Sequence, residues 1–402
     1  MAPTHLHLHL LLLSLLLPLT PAFLLPLSKH PSSLHYLATS YFTPFPRPLH
    51  LVLDLGAPSA SIRCSPPGIA RRLPCRSLPC LSARVNKDDG PKGEDDRNVF
   101  CCDEGSACWV RGVGELVEGD AVFGSSKDLR VPGFLYGCAS NALLSGLGSG
   151  IQGALGLGRR SRVSLPFQVA ESFGTSARFS LCLSSSSGVL LLGGRGRSSS
   201  PTYMSILKSL TYTPLITASS GDSPHEYRIN LSSININGIP LSSNSASPPY
   251  LAKLSTTSPY TTMPTPLYKA FSATFLDAMT SAGMNLVKAV RPFALCFEPS
   301  REAQADPTPA IDMVLQSTMV KWTIQGKSLM VRADDRVICL GIIDGGVGFG
   351  QEDEVVIGGY QLEDVFMEFD FGRSMLGFSP SLASMGTSCE ELAWDLSPKD
   401  LS

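Results

Sequence analysis

Beyond its first two dozen residues, the chain carries apolar positions in short runs separated by Gly, Pro, Ser, Asn and Asp, the pattern of strands joined by turns. Two stretches depart from it. Over 266–287, Leu267, Phe271, Phe275 and Met279 recur at helical spacing ahead of the breaker pair Arg291-Pro292, which predicts a helix. A shorter helix is expected over 165–173, after Ser164. The Ser/Gly/Pro-rich stretch 217–223 reads as a linker and 195–200 as a hairpin loop. At the front, MAPTHLHLHLLLLSLLLPLTPAF has an apolar run from Leu10 to Leu17 broken only by Ser14. That is short of the ~20 residues of a membrane span. It fits a secretory signal ending near residue 22, with His5, His7 and His9 where Lys or Arg is usual, and no membrane association is expected after its removal.

The strand pattern repeats. LVLDLG (51–56) is an apolar strand running into an Asp and a Gly turn, and GALGLG (153–158) follows. In the second half LAKLST (251–256) is followed by EVVIGG (354–359). Asp54 precedes Gly156 by 102 residues and Ser255 precedes Gly358 by 103, so the halves read as a duplicated lobe. A chain of 402 residues also exceeds the ~250–300 that one core organises. The expected organisation is a signal over 1–22, an N-terminal lobe over 40–216, a C-terminal lobe over 224–390 and a tail over 391–402.

Composition narrows the function. A charged fraction of 16% and a net charge of −2 give nothing to attract nucleic acid. Eleven cysteines, at 64, 75, 80, 101, 102, 108, 138, 182, 296, 339 and 389, follow the signal and imply an oxidising compartment with disulfides. Their spacing lacks a repeated C-x2-C pair, so no metal is expected. The odd count leaves at least one thiol unpaired or paired to another chain. The glycines at 146, 148, 150, 153, 156 and 158 lack the strand–helix–strand context of a nucleotide site, and no cofactor is expected. Asn230-Leu231-Ser232 is the one N-glycosylation sequon, and alternation places Asn230 with Arg228 on a polar face. Trp322 alternates as a core strand residue.

A strand entering an Asp-x-Gly turn, then an apolar-apolar-Gly segment a hundred residues on, twice over, resembles the pepsin family of aspartic proteases. Closer still is its plant branch of extracellular dermal glycoproteins, basic 7S globulins and wheat-type xylanase inhibitors. LPCRSLPC (73–80), GALGLGRRSRVSLPFQVA (153–170), KLSTTSPYTTMPTPLYKAF (253–271), RPFALCF (291–297), CLGIIDGG (339–346) and VVIGGYQLEDVFMEFDFGRSMLGFS (355–379) carry the likeness, which spans roughly residues 40–390. It implies a mainly β, bilobal pepsin-like fold with a few short helices. It also implies a Cys296–Cys339 disulfide and secretion to the extracellular space.

Aspartic proteases work with two facing carboxylates that share one proton, because charges about 3 Å apart cannot both ionise. Asp54 stands at the first position; Ser255, in Ser255-Thr256-Thr257, stands at the second. A hydroxyl does not relay protons as a carboxylate does, so no working catalytic residue is expected and Asp54 is read as a remnant hydrogen-bonded where the lobes meet. Leu55 replaces the small hydroxyl residue between Asp and Gly, Ser61 replaces an aromatic, and no Tyr lies between Asp54 and Tyr136 to close a flap. The competing Asp344-Gly345-Gly346 sits only 14 residues before Gly358 and reads as a turn. One of Cys101 and Cys102 is expected to stay free. The resemblance points to a binding protein or inhibitor of microbial cell-wall glycoside hydrolases. An active aspartic endopeptidase and a storage or peptide-binding globulin are the alternatives. The loop 380–386 has no His where the wheat inhibitors place one, so the glycanase need not be a xylanase.

Overall fold

The computed structural model describes residues 21–64, 70–84, 99–101, 107–124, 129–195, 200–216, 223–241, 248–298, 308–346 and 354–396, with 99–101 as backbone only. The expected signal over 1–22 lies outside them but for its last two residues, and the expected linker over 217–223 but for Ser223. Strands dominate, and five helices occur among the described residues: α1 Leu78–Arg84, α2 Leu165–Phe173, α3 Pro201–Ser209, α4 Thr265–Ser281 and α5 Cys389–Asp395.

The alternating pattern becomes a 15-stranded sheet that carries the N-terminal lobe and crosses into the other. Its first strand, Ala22–Lys29, is interior. It pairs with Ser187–Gly193 on one side and Tyr36–Phe42 on the other, so the lobe begins well before residue 40. At the far end Arg178–Leu183 pairs with Phe366–Asp370, which pairs with Met375–Phe378, so strands from the end of the chain complete a sheet begun at its start. The C-terminal lobe adds a five-stranded sheet containing Tyr227–Leu231, Tyr250–Leu254 and Glu354–Ile357, and two sheets of four strands.

One hydrophobic cluster spans both lobes. At the junction Phe179 stacks on Phe369 with centroids 4.4 Å apart, and Tyr227 meets Phe369 edge-on at 4.6 Å. Trp322 is buried and stacks on Phe378 at 5.2 Å, a core position.

Two local expectations are corrected, and a third falls mostly outside the described residues. The long helix stops at Ser281 because Gly283 takes the left-handed conformation (φ +81°), and Asn285–Val287 continues as a strand. The hairpin loop expected over 195–200 falls mostly outside the described residues, which resume at Ser200; its Oγ accepts the Tyr203 amide at 3.2 Å and caps the first turn of α3, with Pro201 behind it. The expected tail is built into the fold as far as Leu396, since α5 buries Leu392 and Leu396 and its Cys389 is bonded to Cys182.

Candidate functional site

Asp54 ends the strand Leu49–Asp54, opposite Gly156 of the parallel strand Gly153–Gly156. Backbone crowds these glycines: a Cβ at Gly156 would lie 2.4 Å from the Ser59 carbonyl oxygen, and one at Gly158 2.7 Å from that of Ala57. With no side chain in the way, the chain after Asp54 folds back against them. Asp54 Oδ1 there accepts the amides of Gly56 at 2.8 Å and Ala57 at 3.2 Å.

The second lobe repeats the device. Tyr250–Leu254 runs parallel to Glu354–Ile357 with Leu254 opposite Ile357, and the Ser255 amide donates to the Ile357 carbonyl at 2.9 Å. Ser255 Oγ accepts the Ser258 amide at 3.0 Å and lies 3.2 Å from both Thr257 Oγ1 and Ser258 Oγ. The serine therefore caps its turn as a carboxylate would, since a hydroxyl oxygen serves there as well. It provides no acid–base group of suitable pKa.

Thr256 ties the two turns together, donating from Oγ1 to the Leu53 carbonyl at 2.6 Å and accepting the Leu55 amide at 3.3 Å. Leu55 is buried and has no hydroxyl, so its side chain returns neither bond. His35 reaches across from the first lobe, where Nε2 donates to the Thr257 carbonyl at 3.1 Å; its buried Nδ1 has no partner among the described residues.

Burial pushes the Asp54 carboxyl above the usual carboxylate range. The amides of Gly56 and Ala57 oppose the rise, Glu226 adds to it, and His35 opposes it. Glu226 stands against the turn, with its Cγ 3.4 Å from where a Gly56 Cβ would be. It pairs with Arg228 and, at 3.4 Å, with Lys253. Glu354 pairs with the same two cations, at 2.8 Å and 3.4 Å. Arg228 is thus 1% exposed inside an ion network, not on a solvent face with Asn230. Periodicity predicts the face a residue shares but not a partner 126 positions away.

Asn230 itself is exposed on the strand Tyr227–Leu231. Asp344 is exposed at the end of the strand Ile342–Asp344, its Oδ1 accepting Thr265 Oγ1 at 2.6 Å and the Gly346 amide at 2.9 Å. Disulfides join Cys64–Cys138, Cys80–Cys108, Cys182–Cys389 and Cys296–Cys339, and Cys75 is also disulfide-bonded. The side chains of Cys101 and Cys102 lie outside the described residues. Among the described residues no cluster of His, Cys, Asp and Glu has the geometry to hold a metal, and no helix is long and apolar enough to cross a membrane.

Residues 36–194 match the family Xylanase inhibitor N-terminal, and residues 226–380 match Xylanase inhibitor C-terminal. The chain belongs to this xylanase-inhibitor branch of the pepsin-like proteins. A relative within the branch, "Probable aspartic proteinase GIP2" of Nicotiana benthamiana, is 34% identical over 91% of this chain and 90% of its own length. Among solved structures, EDGP superimposes with a TM-score of 0.74 at 31% identity, covering 92% of this chain and 97% of its own. Conglutin gamma, a basic 7S globulin from lupine seeds, gives 0.72 at 28% identity over 92% and 98%. His35 and Glu226 are the neighbours of Asp54 that sequence reasoning missed. Neither stands in a repeated motif, so the duplication that located Asp54 and Ser255 gave no signal for them.

Proposed function

We propose that this protein is a secreted, non-proteolytic member of the xylanase-inhibitor branch that binds and inhibits glycoside hydrolases of the cell-wall-degrading type, xylanase or xyloglucanase. The observation that carries the reading is Ser255: the two-turn scaffold is kept, while one partner of the carboxylate pair is a hydroxyl engaged in capping its own turn. A pepsin-like scaffold without its catalytic pair keeps the loops and broad surface that suit a protein partner. The apolar leader, the disulfides and the exposed Asn230 sequon support secretion with a glycan at Asn230.

The test is to incubate the purified protein with a panel of fungal xylanases and xyloglucanases and follow release of reducing sugar. Saturable inhibition of at least one enzyme is expected. Inactivity against the whole panel would favour the second reading, a seed globulin, which similarity to conglutin gamma supports. The endopeptidase reading, suggested by the printed name of the Nicotiana relative, is tested separately. No pepstatin-sensitive cleavage of casein or haemoglobin is expected from pH 3 to 7 (roughly the range in which such carboxylate pairs operate). Cleavage that disappears in Asp54→Asn would restore it.

A further inference from the structure

Away from the Asp54 turn, the N-terminal lobe holds a pocket of about 380 Å³ with Trp109 in its wall and the Cys64–Cys138 disulfide in its lining. The register explains how it is built. Glu115 lies opposite Trp109 on one neighbouring strand and opposite Cys138 on the other. Arg72 lies opposite Val117, one diagonal step from Glu115, and its Nε meets Glu115 Oε2 at 2.9 Å. Directly opposed and diagonal residues project from the same face of a sheet, so an indole, a carboxylate and a guanidinium are brought together over an apolar base. Two disulfides hold this corner, since Cys108, beside Trp109, is bonded to Cys80.

Each part restricts the ligand. The Arg72 and Glu115 charges cancel, which disfavours a bare ion. The pair is accessible, with side-chain exposures of 60% and 25%, so it is held weakly and is free to bond a ligand instead. Trp109 is half-buried and contributes an aromatic wall. The size falls at the small end of ligand pockets, which run from roughly 300 to 1,000 Å³. A neutral molecule with one apolar face and several adjacent hydroxyls satisfies all of these at once. Its C–H face packs on the indole, vicinal hydroxyls donate to the carboxylate, and ring or hydroxyl oxygens accept from the guanidinium.

We propose that this pocket is a carbohydrate site for a pyranose unit of a neutral oligosaccharide, with Trp109 as stacking platform and Glu115 and Arg72 as hydrogen-bonding pair. The test titrates the full chain with cellotetraose and with xylotetraose at up to millimolar sugar, by calorimetry and by saturation-transfer NMR. Wild type is expected to bind at least one of them. Trp109→Ala should weaken binding roughly tenfold, the equivalent of one good aromatic contact. Trp109→Phe should keep most of the affinity, while Glu115→Gln and Arg72→Ala should each weaken it. Circular dichroism checks folding; should Trp109→Ala fail that check, the exposed Arg72→Ala and the half-exposed Glu115→Gln decide. Absence of binding by wild type overturns the site, as does binding that all these variants leave unchanged. The assay contains no glycanase, so its result stands apart from the inhibitor reading.

Discussion

Replacing Ser255 with aspartate supplies the missing carboxylate without its surroundings. The turn would still carry Thr257 in place of glycine, and Leu55 would still return no hydrogen bond to Thr256. A catalytic pair has to be held within about half an ångström by such neighbours. We therefore expect Ser255→Asp to show no pepstatin-inhibited turnover; measurable turnover would mean the site is far closer to working order. Asp54 makes a second expectation possible. Its folded-state pKa is raised, chiefly by burial, so the folded protein holds that proton more tightly than the unfolded chain. Stability from this group is then fully present below the unfolded value and is lost as pH rises through the folded one. Thermal melts of Asp54→Asn against wild type should show wild type losing ground to the variant as pH climbs out of the carboxylate range, then a constant gap. A gap that moves the other way would show the amide hydrogen bonds from Gly56 and Ala57 outweighing burial. Asp54 and Ser255 were legible in the sequence because a duplicated strand and turn marks both. His35 and Glu226 were not, since their roles depend on two lobes meeting, and no local pattern encodes that.

Among the elements, the paired strands that end in the two turns were readable from equal offsets and apolar runs. Element ends were less so. The helix α4 was legible from its periodicity, but its end was set by the conformation of Gly283. The helix α3 was masked by a Ser-rich approach whose last serine is a cap and not a loop residue. The glycine-rich stretch beyond residue 145 shows how differently one residue type acts within a single segment. Gly156→Ala forces a Cβ against two backbone carbonyls, from Ser59 and Ala57, and should cost about 1–3 kcal/mol, the usual range for overpacking. Gly146→Ala meets nothing within 4 Å and should change stability by less than about 0.5 kcal/mol. Urea denaturation of the two variants compares them directly; equal effects would mean the backbone at Gly156 gives way easily.

The whole molecule is closed by contacts that no local reading could supply. The Tyr36 hydroxyl lies 2.8 Å from Glu363 Oε1 and 2.9 Å from the Ser184 carbonyl and shares its one proton between these two acceptors, while Lys29 pairs with the same carboxylate and lies over the Tyr36 ring. Tyr36→Phe removes one donor from a buried carboxylate and should cost about 1–3 kcal/mol. A thermal midpoint unchanged from wild type would show that Lys29 alone satisfies Glu363. The Cys182–Cys389 disulfide spans 207 positions, and chain-entropy reasoning gives its loop about 5 kcal/mol. Cys182→Ala/Cys389→Ala should accordingly show a large fall in its urea midpoint, and a small one would indicate structure surviving in the unfolded chain. The interior place of Ala22–Lys29, and the pairing of Arg178–Leu183 with Phe366–Asp370, also bear on biosynthesis. During translation the edge of Arg178–Leu183 stays open until Phe366–Asp370 has left the ribosome. Neither lobe can then mature alone, an unpaired strand is exposed throughout elongation, and a chain cut short before residue 366 keeps an edge on which other unfinished copies can pair.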